Sequence, residues 1–392
     1  MATESLRKLI EDIAKENKYG NPDIIVKPMS TDGANYSSAL FTITVSESGK
    51  ADLHLFAKVI IINETIRSQM PAGVFDVERK IYVNLLRKYK DIEIAHDVPL
   101  TKRLNIPKYY GCNPKIFEET IVLENLGVKG FTTYDRFKSV DWDYAAKSVE
   151  SLAKFHALSI AYRENYPEEF KQFVNNIKFQ KDMYAGVLQQ LYEQRIKTTL
   201  SVTNEKHKDK LQKYLETQLN LETILKFSET PERPVLCHGD YRPSNLMHRY
   251  TEDGTLEVIP VDFQTIQCSA SPLTDLLYFI FTGSDEKFRR EHFQDLIDHY
   301  YQELSSALQY LKLEPDVIYS KKTFEHDLKE FLPFGLFIAI FSLPIVTVEV
   351  DDAPSMQGDG GFEIFTSAKT GSLYPERMNG VINDYFRWGI IE

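Results

Sequence analysis

The chain has 392 residues, 43% of them hydrophobic and 26% charged, enough to bury the cores of two lobes. Its 46 Lys and Arg against 57 Asp and Glu leave a net charge of -11, which argues against a general nucleic-acid or anionic-membrane binder. Three scattered cysteines (Cys112, Cys237, Cys268) without CxxC spacing read as reduced thiols, and the charged opening MATESLRKLIEDIAKEN has no apolar signal region, so a cytoplasmic location is expected.

The opening segment has a helical period over residues 3–17, stopped by Gly20, Asn21 and Pro22. Two alternating runs follow, ALFTITV (39–45) and LHLFAKVIII (53–62), joined by a polar turn; they read as an antiparallel hairpin. A helix is predicted from Phe75 to Tyr89, with Val77, Ile81, Leu85 and Leu86 on one side. Further strands are predicted near 94–101, 108–112 and 121–126. Beyond Gly127 and Gly130 helical patterns dominate, over 141–162, 168–193, 205–227, 286–311, 324–348 and 375–388, interrupted by a β island at 244–263. A small β-rich lobe (1–125) followed by a large, mainly helical lobe (126–392) is the expected α+β arrangement, with a cleft at the junction near 124–130.

The uncharged run Phe331–Val348 reaches the lower edge of a membrane-span length. Pro333, Gly335 and Pro344 interrupt it and no flanking Lys/Arg cluster accompanies it, so a core helix is expected rather than a span.

The densest chemistry lies in VLCHGDYRPSNLMHRYTEDGTLEVIPVDFQ. An apolar run delivers the chain to His238-Gly239-Asp240; Asn245 follows five residues later; a hairpin turning at Asp253-Gly254 then returns Asp262-Phe263. Phosphoryl transfer needs a carboxylate to orient or deprotonate an acceptor hydroxyl, and oxygen ligands to hold Mg2+ against nucleotide phosphates. Asp240, Asn245 and Asp262 supply these at a spacing that separate turn residues rarely produce together. His238 is expected to brace the loop. Lys58, inside the apolar FAKVIII strand, needs an anionic partner; Glu78 is the preferred one, with Asp76 and Glu64 as alternatives. Gly33, Ser37 and Ser38 could form a phosphate-covering turn or a plain polar hairpin turn. Glu124 and Leu126, where sheet gives way to helix, could offer backbone hydrogen bonds to adenine or simply end a strand. Ser271-Pro272 reads as a helix start, and Asp275 either favours that helix N-terminus or braces the catalytic loop.

These residues resemble the protein-kinase-like superfamily in its choline and aminoglycoside phosphotransferase branch, and within it the insect ecdysteroid-kinase-like family. The matching pieces are GANYSS, FAKV, the E-x-x-x-Y of Glu78–Tyr82, IVLENL, SLAKFHALSIAY, HGDYRPSN, IPVDFQ, SPLTDLLYF, LFIAIFSLP and RMNGVINDYFRWGII, in the family's order along nearly the whole chain. The resemblance implies a bilobal kinase-like fold, use of ATP and Mg2+, and a small-molecule hydroxyl acceptor such as an ecdysteroid or an apolar xenobiotic. It implies Asp240 as catalytic base, Asn245 and Asp262 as Mg2+ ligands, and Lys58 on the phosphates, held by Glu78. Gln264 stands where protein kinases have glycine after Asp-Phe, and no A-P-E segment is present, so a protein-kinase activation segment is not expected. Arg242-Pro243 departs from the Trp that many family members carry there, which leaves the acceptor subclass open. A choline- or aminoglycoside-type kinase and a catalytically silent nucleotide- or ligand-binding protein are the competing readings.

Overall fold

The computed structural model describes residues 2–29, 38–69, 74–177, 185–227, 233–269, 271–352 and 369–392. Helix α1 (Ala2–Glu16) places Leu6, Ile10, Ile13 and Ala14 on one side, and that stripe covers a sheet. The sheet is antiparallel, in the order β1-β2-β3-β5-β4: β1 (Asp23–Met29), β2 (Ser38–Ser46), β3 (Leu53–Ile60), β4 (Tyr109–Asn113) and β5 (Thr120–Glu124). Strand β1 was not anticipated. It is an edge strand that tolerates Pro28 and fully buries only Ile24, so it lacks the alternation that marks β2 and β3.

Period-two geometry explains where Lys58 goes. Leu55, Ala57 and Val59 face α1, whereas Phe56 and Ile60 join the main core on the opposite side, and Lys58 shares their face. That face meets a helical stretch built from α2 (Glu64–Gln69), α3 (Val74–Lys80), a π-turn (Ile81–Leu85) and α4 (Leu86–Ala95). The predicted strand at 94–101 does not form. Helix α4 continues to Ala95 and a short 3-10 turn follows at Leu100–Lys102. Its apparent alternation has no sheet to serve: Ile94 is 50% and Leu100 80% exposed, and Pro99 brings no N–H donor.

After β5 the chain makes a 3-10 turn (Leu126–Lys129) closed by Gly130 at φ +83°, and β6 (Thr132–Thr133) pairs with a different sheet. That second sheet has the order β6-β8-β9, with β8 (Leu246–Tyr250) and β9 (Leu256–Pro260) forming the expected hairpin. A short pair joins β7 (Val235–Cys237) to β10 (Gln267–Ser269). The helices around them are α5 (Trp142–Asn165), α6 (Pro167–Ile177), α7 (Ala185–Val202), α8 (Glu205–Thr217), α9 (Leu221–Lys226), α10 (Leu273–Gly283), α11 (Glu286–Tyr310), α12 (Pro315–Ile318), α13 (Lys321–Val346) and α14 (Tyr374–Arg387). The single helix expected over 205–227 is thus two, and the pattern at 168–193 is carried by α6 and the start of α7.

Helix α13 contains the apolar run and is long and apolar enough to cross a membrane by length and composition alone. It packs instead as a core helix against α10 and α14. Gly335 allows this close approach, since a Cβ there would lie 2.3 Å from the Phe281 ring and 2.7 Å from the Tyr385 hydroxyl. The whole is the expected α+β arrangement, a small antiparallel sheet before a larger helical portion. One buried cluster runs from Ile60, Tyr82 and Tyr89 through Phe155 and Phe263 to Leu276, Ile340 and Tyr385.

Candidate active site

Strand β3, helix α3 and the turn after β9 converge on the Lys58 ammonium. Its Nζ donates to Glu78 Oε2 at 2.9 Å and to Asp262 Oδ1 at 2.5 Å, and lies 3.5 Å from Gln264 Oε1. Asp76 pairs instead with Arg79 and Lys80, which decides among the acidic candidates in favour of Glu78. Burial pulls the Lys58 ammonium down in pKa, but Asp262 and Glu78 outweigh it and hold the group firmly protonated. Burial likewise pushes the Asp262 carboxyl up, yet Lys58, helped by Arg242 and His238, holds it below the usual aspartate range. The Glu78 carboxyl is raised, by burial against the pull of Lys58 and by the neighbouring Asp262. Two carboxylates therefore share one ammonium.

The loop after β7 brings Asp240 and Asn245 together. Asn245 Nδ2 donates to Asp240 Oδ2 at 2.8 Å and to the Asp240 carbonyl at 3.0 Å. The Asn245 carbonyl accepts the Val261 N–H at 2.9 Å, which ties this loop to the approach to Asp262. Asp262 itself has φ +67°, a left-handed conformation that Asp tolerates better than most residues. His238 does brace the loop: its Nε2 lies 3.0 Å from the Val261 carbonyl and its ring 5.0 Å from that of Phe263. Rings of Tyr109, Tyr82, Phe263 and His238 follow one another at 5.0–6.1 Å, linking sheet, helix and loop.

Of the two roles open to Asp275, bracing the loop is the one its contacts show. Its carboxylate accepts the N–H groups of His238 at 2.6 Å and Gly239 at 2.9 Å, and meets His156 Nε2 at 3.0 Å. His156 Nδ1 in turn lies 2.7 Å from the Tyr300 hydroxyl. His156, Asp275 and Cys237 also lie together, and burial pushes the Cys237 thiol far up. The trio reads as a brace.

The ecdysteroid kinase-like family model matches residues 32–313, more than two thirds of the chain. The chain belongs to the ecdysteroid kinase-like family. A search of curated proteins gives no match. Kinase-like small-molecule phosphotransfer is the chemistry to which this family membership points.

In this ecdysteroid kinase-like chain the crossing between sheets lies against the Asp262 turn. Leu126 is buried with Phe131 and Ile259, beside Met247 and Val261. The Glu124 carboxylate pairs with Lys129 and accepts the Lys108 N–H at 3.2 Å, so it is committed outside the cleft. Ser38 is buried at the start of β2, opposite Ile60; Gly33 and Ser37 lie outside the described residues.

Three site residues escaped the sequence. Arg242 Nε lies 3.1–3.2 Å from both carboxylate oxygens of Asp240. The Tyr278 hydroxyl, on α10, is also within hydrogen-bonding reach of Asp240, and burial with Asp240 beside it keeps the phenol protonated. Ser342 Oγ, on α13, donates to that hydroxyl at 3.3 Å. The charged residue in HGDYRPSN was a visible signal for Arg242; nothing local marked Tyr278 or Ser342.

Proposed function

We propose that this chain transfers the γ-phosphoryl group of ATP to a hydroxyl of a small apolar alcohol, an ecdysteroid or a related compound. The observation that carries the reading is the junction of two pairs, Lys58 with Glu78 and Asp262, and Asn245 with Asp240. Between them they offer a cation for phosphates, oxygen ligands for a metal and a carboxylate for an alcohol.

In this reading Lys58 exchanges Asp262 for nucleotide phosphates while Glu78 keeps it in place. Asp262 and Asn245 hold Mg2+; a carboxylate and an amide oxygen are the hard ligands it takes. Because Asn245 Nδ2 is committed to Asp240, its Oδ1 is the atom offered to the metal. Bound Mg2+ would neutralise phosphate charge. Asp240 orients the acceptor hydroxyl and receives its proton. Backbone groups of Glu124 and Leu126 flank the adenine, with Leu126 and Val261 as its apolar floor, and we place the division between nucleotide and acceptor lobes after residue 125. Gly33, Ser37 and Ser38 would lie over the phosphates.

One feature favours an uncharged acceptor. Arg242 places a positive charge next to Asp240, where a choline or aminoglycoside cation would have to sit. Incubation with Mg-ATP and a panel of ecdysteroids, sterols, simple alcohols, choline and an aminoglycoside tests this, with mass spectrometry of the products. A phosphorylated apolar alcohol is expected. Nucleotide binding without product from any acceptor would instead show a ligand-binding protein.

A further inference from the structure

Arg242 has no part in phosphoryl transfer in the scheme above, yet its position is constrained. Its N–H donates to the Asp240 carbonyl at 2.9 Å, and its carbonyl accepts the Asn245 N–H at 2.8 Å. The next residue, Pro243, packs so closely on Gly283 that a Cβ there would lie 2.7 Å from the proline ring. The backbone is therefore pinned, and the long side chain is 11% exposed. Its guanidinium is paired with Asp240 and within electrostatic reach of both Asp262 and Tyr278. It thus sets a positive charge directly on the acceptor-side carboxylate, Asp240, and within electrostatic reach of the metal-side carboxylate, Asp262. A planar guanidinium with several N–H donors suits phosphoryl oxygens better than any other side chain.

We propose that Arg242 is a further catalytic residue: it leaves Asp240 to grip the transferring phosphoryl group, and by leaving frees Asp240 for the acceptor hydroxyl. This rests on the kinase reading. In the resting state Asp240 accepts from Asn245 and Arg242 at once, with the Tyr278 phenol nearby. When ATP draws Arg242 away, Asn245 still holds the carboxylate, and the oxygen released is the one the alcohol needs. The acceptor oxygen then bonds to the γ-phosphorus as the bond to the β–γ bridging oxygen breaks. ADP departs with that electron pair, and the acceptor proton passes to Asp240 and on to solvent. Arg242 exchanges neither proton nor electrons; it balances charge on the phosphoryl oxygens.

The test compares the full-length wild type with Arg242→Ala and Arg242→Lys, measuring Mg-ATP and Mg-ADP affinity by calorimetry beside turnover. For Arg242→Ala, ADP affinity should stay within about twofold, ATP affinity should fall about tenfold, and kcat should fall about 100-fold, the scale for losing one charge-stabilising donor. Arg242→Lys should recover ATP affinity in part, since the charge returns without the fork. Thermal melts establish that both variants fold. Equal losses of ATP and ADP affinity, or an unchanged preference for ATP, would overturn the proposal. If wild type phosphorylates no acceptor, the kinase reading fails separately, and an unaltered ATP-to-ADP affinity ratio in Arg242→Ala still refutes a phosphoryl grip.

Discussion

The Lys58 ammonium lies 2.5 Å from the Asp262 carboxylate although 204 positions separate the two residues. That contact, with Glu78 on the other side of the ammonium, makes the first sheet and the catalytic hairpin parts of one centre. It also sets two acids, one buried and one part-buried, against the same ammonium.

Lys58→Met should show how much that base contributes. Breaking a buried ion pair from one side costs about 3–5 kcal/mol, part of which the acids recover by protonating. Asp262 has a folded pKa below its unfolded value, so its stabilisation is present above the unfolded aspartate range and is lost as pH falls through the folded pKa. Denaturant titrations should therefore find the variant much weaker than wild type near neutrality, with the gap narrowing in acid. A gap independent of pH would contradict this.

Asp275→Ala removes the acceptor for one buried and one part-buried N–H group and for His156. Each orphaned donor costs about 1–3 kcal/mol, so a loss of roughly 2–5 kcal/mol is expected in denaturation. Turnover should fall with the loosened loop while Mg-ATP affinity, set by Lys58 and Asp262, changes little. An unaltered stability would show that the brace is dispensable.

Gly239→Ala is a second test of that loop. Gly239 has φ +80°, and a Cβ there would stand 2.2 Å from the Thr265 carbonyl oxygen. The clash is with backbone, so the His238–Asp240 turn must shift, at about 1–3 kcal/mol of strain. Kinetics should show at least a tenfold lower kcat.

Glu93 predicts a separate pH effect far from the catalytic residues. It is 6% exposed on α4, accepts the Leu104 N–H at 2.7 Å, and burial pushes its carboxyl up to about 7. With a folded pKa above the unfolded one, its stabilising effect is full below about 4.5 and is lost as pH rises towards 7. Glu93→Gln keeps the acceptor without the charge and should gain about 1–2 kcal/mol over wild type at pH 8, vanishing near pH 4. Parallel melts at the two pH values measure it.

What the sequence disclosed was what short spacing encodes. The Asp240–Asn245 interval and the returning Asp262 lie within one loop and one hairpin, and a lysine in an apolar strand must find an acid, so the Lys58–Glu78 pair followed. The contacts of Tyr278 with Asp240 and of Ser342 with Tyr278 depend on how α10 and α13 pack, and no local pattern carries that. Strand β1 was missed because an edge strand buries too little to alternate, and the 94–101 run misled because its alternation serves no sheet face. The π-turn at Ile81–Leu85 was equally invisible, since its apolar spacing passes for an ordinary helix.

Asp240→Ala, assayed beside wild type for phosphoryl transfer to the alcohol that wild type uses and for Mg-ATP affinity, tests the central claim most directly. Loss of the proton acceptor should lower kcat by about 100-fold or more, while ATP binds as tightly as to wild type, or more tightly because Arg242 is released from its resting partner. Turnover close to that of wild type would contradict the assignment of Asp240 and with it the catalytic centre described above.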